Sequence, residues 1–210
     1  MKQDSIRKIF TILRKNNPQP TTELQYNSAF ELLIAVILSA QATDISVNNV
    51  TKELFKVANT PTKMLTLGIT KLKNYIKTIG LYNSKASNII ATSQKLLADF
   101  AGQVPSTRAD LESLPGVGRK TANVLLNTAF GQPVIAVDTH ILRVSKRIGF
   151  TNEHMPRAVE EDLERIIPIE FKQYAHHWLI LHGRYVCKAR RPLCAECAIA
   201  SLCEYPDKKL

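Results

Sequence analysis

The stretch from Phe30 to Leu38 is apolar on nearly every face of a helix, interrupted only by Glu31. A helix of that kind is stable in water only when other elements surround it. The chain must therefore fold around a buried central helix. The run is far short of the roughly 20 residues a membrane-spanning helix needs, and the N-terminal Met1 to Ile6 lacks the apolar segment of a signal peptide. A soluble, cytoplasmic protein is expected.

Helical periodicity recurs along the chain and strand alternation does not. Ile6, Ile9, Phe10 and Leu13 form one stripe that ends at Asn16-Asn17-Pro18. Ser46 is placed to cap a helix carrying Val47, Val50, Leu54 and Phe55. Thr60-Pro61 opens a short helix that Gly68 closes, and Leu72, Tyr75, Ile76 and Ile79 follow up to Gly80. Asn83 or Ser84 starts the next, and Ser106 or Thr107 caps a short one. Further helices run from about Arg119 to Phe130, from a cap at Asp138, through Val159 to Ile166, and through Tyr174 to Leu179. Val134 to Val137 is the one strand-like run, too short and isolated to build a sheet. The expectation is an all-α fold of about ten helices. No linker breaks the chain, which argues against a contiguous two-domain split and leaves open a discontinuous one, with both termini in one lobe.

Lys and Arg total 28 against 18 Asp and Glu in 210 residues, a net charge of +10. A polyanion is a natural partner for such a surface, because each neutralised phosphate releases condensed counterions. Leu114-Pro115-Gly116-Val117-Gly118-Arg119-Lys120 sharpens that reading. Glycine permits the positive φ of a tight hairpin and removes side chains that would hold a phosphate away. Backbone N–H groups of such a turn, with the N-terminus of the following helix, make an anion site. The pattern is that of a helix-hairpin-helix, which reads phosphate and carries no base preference. The ordinary alternative is a plain Pro-Gly turn between helices.

Lys120 falls in the first turn of its helix beside Arg119. The positive end of the helix dipole and a neighbouring cation both disfavour an ammonium there, which suits a nucleophilic amine. Taken alone, the hairpin favours the plainer reading, in which Lys120 is one more phosphate-binding cation. Asp138, in Val137-Asp138-Thr139-His140, is a favoured N-cap residue and on spacing alone reads as a cap; a second role is to accept a proton or stabilise a cation. His140 carries a weaker signal still.

All four cysteines lie near the C-terminus as Cys187, Cys194, Cys197 and Cys203, spaced C-x6-C-x2-C-x5-C. So tight a group suits a metal centre better than a disulfide framework. The spacing leaves a [4Fe–4S] cluster and a tetrahedral zinc both open. Lys188, Arg190 and Arg191 lie within the same loop, which links the metal site to a basic, phosphate-facing segment.

Together these stretches resemble the endonuclease III family of helix-hairpin-helix DNA glycosylases. The resemblance runs from Pro18 to the last cysteine. Leu38 to Asp44, Ile79 to Ala86, Leu114 to Gly131, and His176-His177-Trp178 onward carry it most specifically. It implies two helical lobes with a DNA-binding cleft between them. Residues 22–132 would form a six-helix lobe with the hairpin at about 114–120. Residues 1–21 and 133–210 would form a discontinuous lobe whose loop 187–203 holds a structural [4Fe–4S] cluster. It implies Lys120 as nucleophile and Asp138 as its partner, Gln41 and Leu81 as residues that fill the gap left by an extruded base, and Leu114, Gly116, Val117, Gly118, Arg119 and His140 as DNA contacts. A monovalent cation on the hairpin carbonyls belongs to the same implied set.

The implied activity is removal of oxidised pyrimidines such as thymine glycol from double-stranded DNA, followed by strand cleavage 3′ to the abasic site. The partner is damaged duplex DNA, and a monomer is expected. An adenine-mismatch glycosylase is a rival, opposed by a lysine at position 120 and by a chain that ends soon after Cys203 with no further recognition domain. A non-enzymatic metal-bearing DNA-binding module explains the charge, the hairpin and the cysteines, but not the pairing of Lys120 with Asp138.

Overall fold

The computed structural model describes residues 1–209. Among them are ten α-helices: α1 (Gln3–Asn16), α2 (Ala29–Ser39), α3 (Asp44–Val57), α4 (Pro61–Ile76), α5 (Tyr82–Asp99), α6 (Arg108–Glu112), α7 (Arg119–Thr128), α8 (Thr139–Ile148), α9 (Pro156–Ile166) and α10 (Ile169–Tyr185). Two 3-10 turns follow, Cys194–Glu196 and Ala200–Leu202. No strand forms among the described residues, and Ile135, Ala136 and Val137 are instead a buried connection without regular secondary structure. The fold is all-α, as the periodicity requires. No described helix is long and apolar enough to cross a membrane.

The chain separates into two compact units, one of Thr22–Phe130 and one of Met1–Thr21 with Gly131–Leu210. In the first, α2 is the central helix. Phe30 and every residue from Leu32 to Leu38 are buried, and α3, α5 and α7 pack around them. Its start is fixed by Ser28, whose Oγ accepts from the Glu31 N–H at 3.1 Å. The Glu31 carboxylate in turn accepts from the Asn27 N–H at 2.6 Å, so a buried charge satisfies an otherwise unbonded donor. Gly68, with φ 76° and ψ 160°, breaks α4 into two helical segments, which accounts for the stop signal at that position.

Two expected starts differ. Thr43, not Ser46, caps α3: its Oγ1 accepts from the Ser46 N–H at 3.2 Å, while Ser46 Oγ donates back to the Thr43 carbonyl at 2.7 Å. The two hydroxyls share the cap, and the earlier one defines the boundary. α5 begins at Tyr82 behind Leu81, a left-handed N-cap with no capping side chain.

In the second unit Ile6, Ile9, Phe10 and Leu13 bury the inner stripe of α1. Phe10 stacks on Phe150 and on Phe171 at 5.7 Å, with Trp178 at 6.1 Å. Packed aromatic pairs of this kind add about 0.5–1.5 kcal/mol beyond their buried area. Trp178 Nε1 donates to the Asn17 carbonyl at 2.7 Å, so α10 also closes the end of α1. α8 and α10 approach closely at Gly183, where a Cβ would stand 3.0 Å from His140 Cβ and from Val144 Cγ2.

Candidate DNA-repair active site

The glycine hairpin hangs between α6 and α7 on two buried side chains, Leu114 and Val117. The Val117 N–H donates to the Leu114 carbonyl at 3.0 Å and closes the turn. Gly116 takes φ 77°, where an L side chain is strained. Beneath it lies Asn88 of α5, and Thr92 Oγ1 one turn on donates to the Pro115 carbonyl at 2.7 Å. α5 is thus the floor of the hairpin. Arg108 Nε donates to Asn123 Oδ1 at 3.0 Å and ties α6 to α7. Gly118 is the N-cap of α7 and contributes no side-chain bond to its amides. Arg119 and Lys120 are the first two helical residues, with Lys120 exposed.

Gln41 and Leu81 sit on neighbouring turns of the same unit. Both are exposed and both take left-handed backbone, φ 55° and 60°. A Cβ placed on Gly80, just before Leu81, would stand 3.9 Å from the Gln41 carbonyl.

Asp138 belongs to the other unit. It caps α8, with Oδ1 accepting from the Ile141 N–H at 2.8 Å, and is half-buried. His140 is in the first turn of α8, its Nδ1 3.3 Å from Arg143 Nη2. The Arg143 guanidinium also donates to the carbonyls of Gly183 and Cys187, so this helix is bonded to the start of the cysteine loop.

Cys187, Cys194, Cys197 and Cys203 are all free of disulfides and all line one partly open pocket. Among the described residues no three acidic, His or Cys side chains form a ready-made site for a single ion. The four thiols surround a shared volume instead. Burial pushes the Cys197 and Cys203 thiols up, and the other cysteines push the same way. A thiolate in that pocket needs a compensating cation. Arg147 binds the rim: Nη1 donates to the Lys188 carbonyl at 2.7 Å, Nη2 to that of Ala189 at 2.9 Å, and its guanidinium lies 4.7 Å from the centre of the Tyr205 ring. His182 Nε2 stands 3.8 Å from Cys197 Sγ, and burial lowers the His182 pKa to about 4.

Four supporting residues escape sequence reasoning. Arg143 and Arg147 read as the basic side of an amphipathic helix. Asn88 carries no signal, and Lys85 a faint one, since Lys85, Ile89, Thr92 and Leu96 share one stripe of α5 and a lysine among them is out of place.

The hairpin unit and the capped α8 define a class. Residues 34–168 match the profile of the HhH-GPD superfamily base excision DNA repair proteins. Endonuclease III of Escherichia coli (strain K12) is 63% identical over 95% of this chain and 95% of its own. Endonuclease III of Haemophilus influenzae is 62% identical over the same shares. A solved trapped covalent endonuclease III–DNA intermediate, an estranged-adenine complex, superposes with a TM-score of 0.91 at 45% identity, covering 97% of this chain and 96% of that one. The chain belongs to the HhH-GPD superfamily of base excision DNA repair proteins and, within it, to the endonuclease III family.

Proposed function

We propose that this chain is a DNA glycosylase and abasic-site lyase that removes oxidised pyrimidines such as thymine glycol from duplex DNA. The observation that carries the reading is its likeness, over nearly the whole chain, to an endonuclease III trapped in a covalent bond to DNA, joined to an exposed lysine at the head of α7. Damaged bases are out of reach within the stack and must be extruded. The hairpin amides and the N-terminus of α7 hold a backbone phosphate, with Leu114, Gly116, Val117, Gly118, Arg119 and His140 as the contacting set. Gln41 and Leu81 enter the space the base vacates.

The Lys120 amine attacks the sugar C1′ and the C1′–N bond breaks, the base leaving with its electron pair and a proton. Asp138 accepts a proton from the attacking amine or stabilises the positive charge on the sugar. The C1′–O4′ bond then breaks, O4′ taking a proton as the sugar ring opens, and the protonated Schiff base that results acidifies the C2′ proton. Its removal expels the 3′ phosphate by β-elimination and cuts the strand.

Cys187, Cys194, Cys197 and Cys203 fit a [4Fe–4S] cluster, because four thiols share one pocket and burial there disfavours a thiolate without a metal. Bound there, the cluster supplies a structural cross-link. The chain's own Arg143 and Arg147 carry that order into α8, whose first cap is Asp138. A monovalent cation on the hairpin carbonyls, a monomeric state and a cytoplasmic location with the DNA complete the proposal.

The test is borohydride trapping on a duplex with one thymine glycol, comparing the native protein with Lys120→Gln. A covalent complex present in the first and absent in the second supports the reading. DNA binding without trapping by the native protein overturns it.

A further inference from the structure

Lys85 is 5% exposed, yet it is a lysine in the first turn of α5. Its ammonium is turned inward. Nζ donates to the carbonyl of Leu38 at 2.9 Å and of Ala40 at 2.6 Å. These carbonyls belong to the end of α2, whose last turn contains no basic residue of its own. A helix C-terminus carries unbonded carbonyls and a partial negative charge. Lys85 supplies, from a different helix, the cation that α2 lacks. Burial lowers its pKa, so the charged form persists at a cost that the two carbonyl bonds offset.

The position of these two bonds is specific. The turn from Ser39 to Ala42 closes with the Ala42 N–H on the Ser39 carbonyl at 3.0 Å. Ala40 has φ −57° and ψ 115°, and Gln41 has φ 55°. That is a type II arrangement, whose third position favours glycine. Gln41 is held there against its own preference. The other end of Lys85 does the same for the second turn: its backbone N–H donates to the Leu81 carbonyl at 3.1 Å, and Leu81 is itself left-handed without a capping side chain. One residue thus bonds both turns, at each of their two strained positions or directly beside it.

We propose that Lys85 is a positioning residue that locks the Gln41 and Leu81 turns to each other and so presets the edge that enters the duplex. The inference rests on the reading of Gln41 and Leu81 as gap-filling residues. Lys85 touches no reacting atom. Its contribution is to make opening of an intact duplex cheap by holding two left-handed turns before DNA arrives.

The experiment measures single-turnover cleavage of an abasic site on two duplexes, one with the opposite nucleotide present and one with that nucleotide omitted. Lys85→Met keeps the buried stem and the backbone bond to Leu81 and removes the two Nζ bonds. It is expected to slow cleavage of the full duplex at least tenfold and of the gapped duplex less than threefold, because the gapped one has no partner base to displace. Lys85→Gln, which retains a donor, is expected to fall between native and Lys85→Met, and serves as the measured variant if Lys85→Met does not fold. Equal losses on both duplexes, or no loss on either, would overturn the proposal. Gln41→Ala and Leu81→Ala are run beside them: if neither slows the full duplex, the gap-filling reading itself fails. If they slow it and the Lys85 variants do not, only the role of Lys85 fails.

Discussion

Asn88 fills the space directly beneath Gly116: a Cβ at Gly116 would stand 2.8 Å from Asn88 Nδ2 and 2.9 Å from Asn88 Cβ. The neighbouring glycine of the hairpin is different, since a Cβ on Gly118 meets nothing within 4 Å and its φ is −97°. Two glycines in one motif therefore serve two purposes. Gly116 lets the turn seat on α5, and Gly118 leaves its outer side clear.

Alanine separates the two. Gly116→Ala combines a left-handed alanine, at about 1–2 kcal/mol, with a clash, so it should lower both stability and DNA affinity. Gly118→Ala should cost under about 1 kcal/mol of stability as a poorer N-cap while still weakening binding severalfold by holding a phosphate away. Denaturant melts and fluorescence anisotropy on the same abasic-analogue duplex check both halves.

Asp138 has a bond to α8 and a proposed role in chemistry, and substitutions tell them apart. Asparagine caps as well as aspartate, so Asp138→Asn should change stability by less than about 0.5 kcal/mol, whereas Asp138→Ala should cost about 1 kcal/mol. Both should lower the rate of base removal by about 100-fold or more if the carboxylate handles a proton. Retained activity in a stable Asp138→Asn protein would reduce the residue to a cap.

Stability should depend on pH through His177. Burial lowers its pKa from 6.5 to about 4. Between those values the unfolded chain binds a proton that the folded chain refuses, so unfolding is favoured as pH falls. The contribution is present in full above pH 6.5, declines from there toward pH 4 and is gone below it. The slope from one such group reaches about 1.4 kcal/mol per pH unit. Asp162, held low by the Thr151 hydroxyl and by Arg165, contributes only in the more acid range below its ordinary 3.8. Chemical melts from pH 7 to 4.5 should show the decline, and His177→Gln should make it shallower without removing it, because burial lowers His182 as far.

The cysteine loop should be as sensitive to Arg147 as to its thiols. Cys194→Ser should abolish the visible absorbance of the proposed cluster. Arg147→Lys retains charge but loses the fork that spans the Lys188 and Ala189 carbonyls. It should bind iron and lose it severalfold faster to air, followed as decay of that absorbance. Unchanged decay in Arg147→Lys would mean that the loop is ordered without it.

The helices are legible because burial repeats at the helical period, and α2 is legible because apolarity on all faces allows one environment. Asp138 is readable as a cap since capping is local, three residues to Ile141. What escapes is what tertiary contact imposes. Leu81 is no capping residue, so nothing local marks it as the start of α5, and no glycine there signals its left-handed backbone. Gln41 likewise occupies a glycine position with no glycine. Lys85 is out of place on the inner stripe of α5, but what it bonds is hidden until α2 is seen to end against it. The hairpin glycines are readable as a pair, but their division of labour needs Asn88, and no motif points to a residue nearly thirty positions earlier.

The aromatic cluster around Phe10 joins segments at opposite ends of the polypeptide: Asn17 and Trp178 are separated by 161 positions. During synthesis α1 leaves the ribosome first and must wait for α8 to α10, whereas residues 22–130 emerge contiguously and can fold meanwhile. The cysteines come after all ten helices. An unshielded amphipathic α1 is thus present throughout most of translation, and the interval before α10 arrives is when this protein is most exposed to misassociation and to proteolysis.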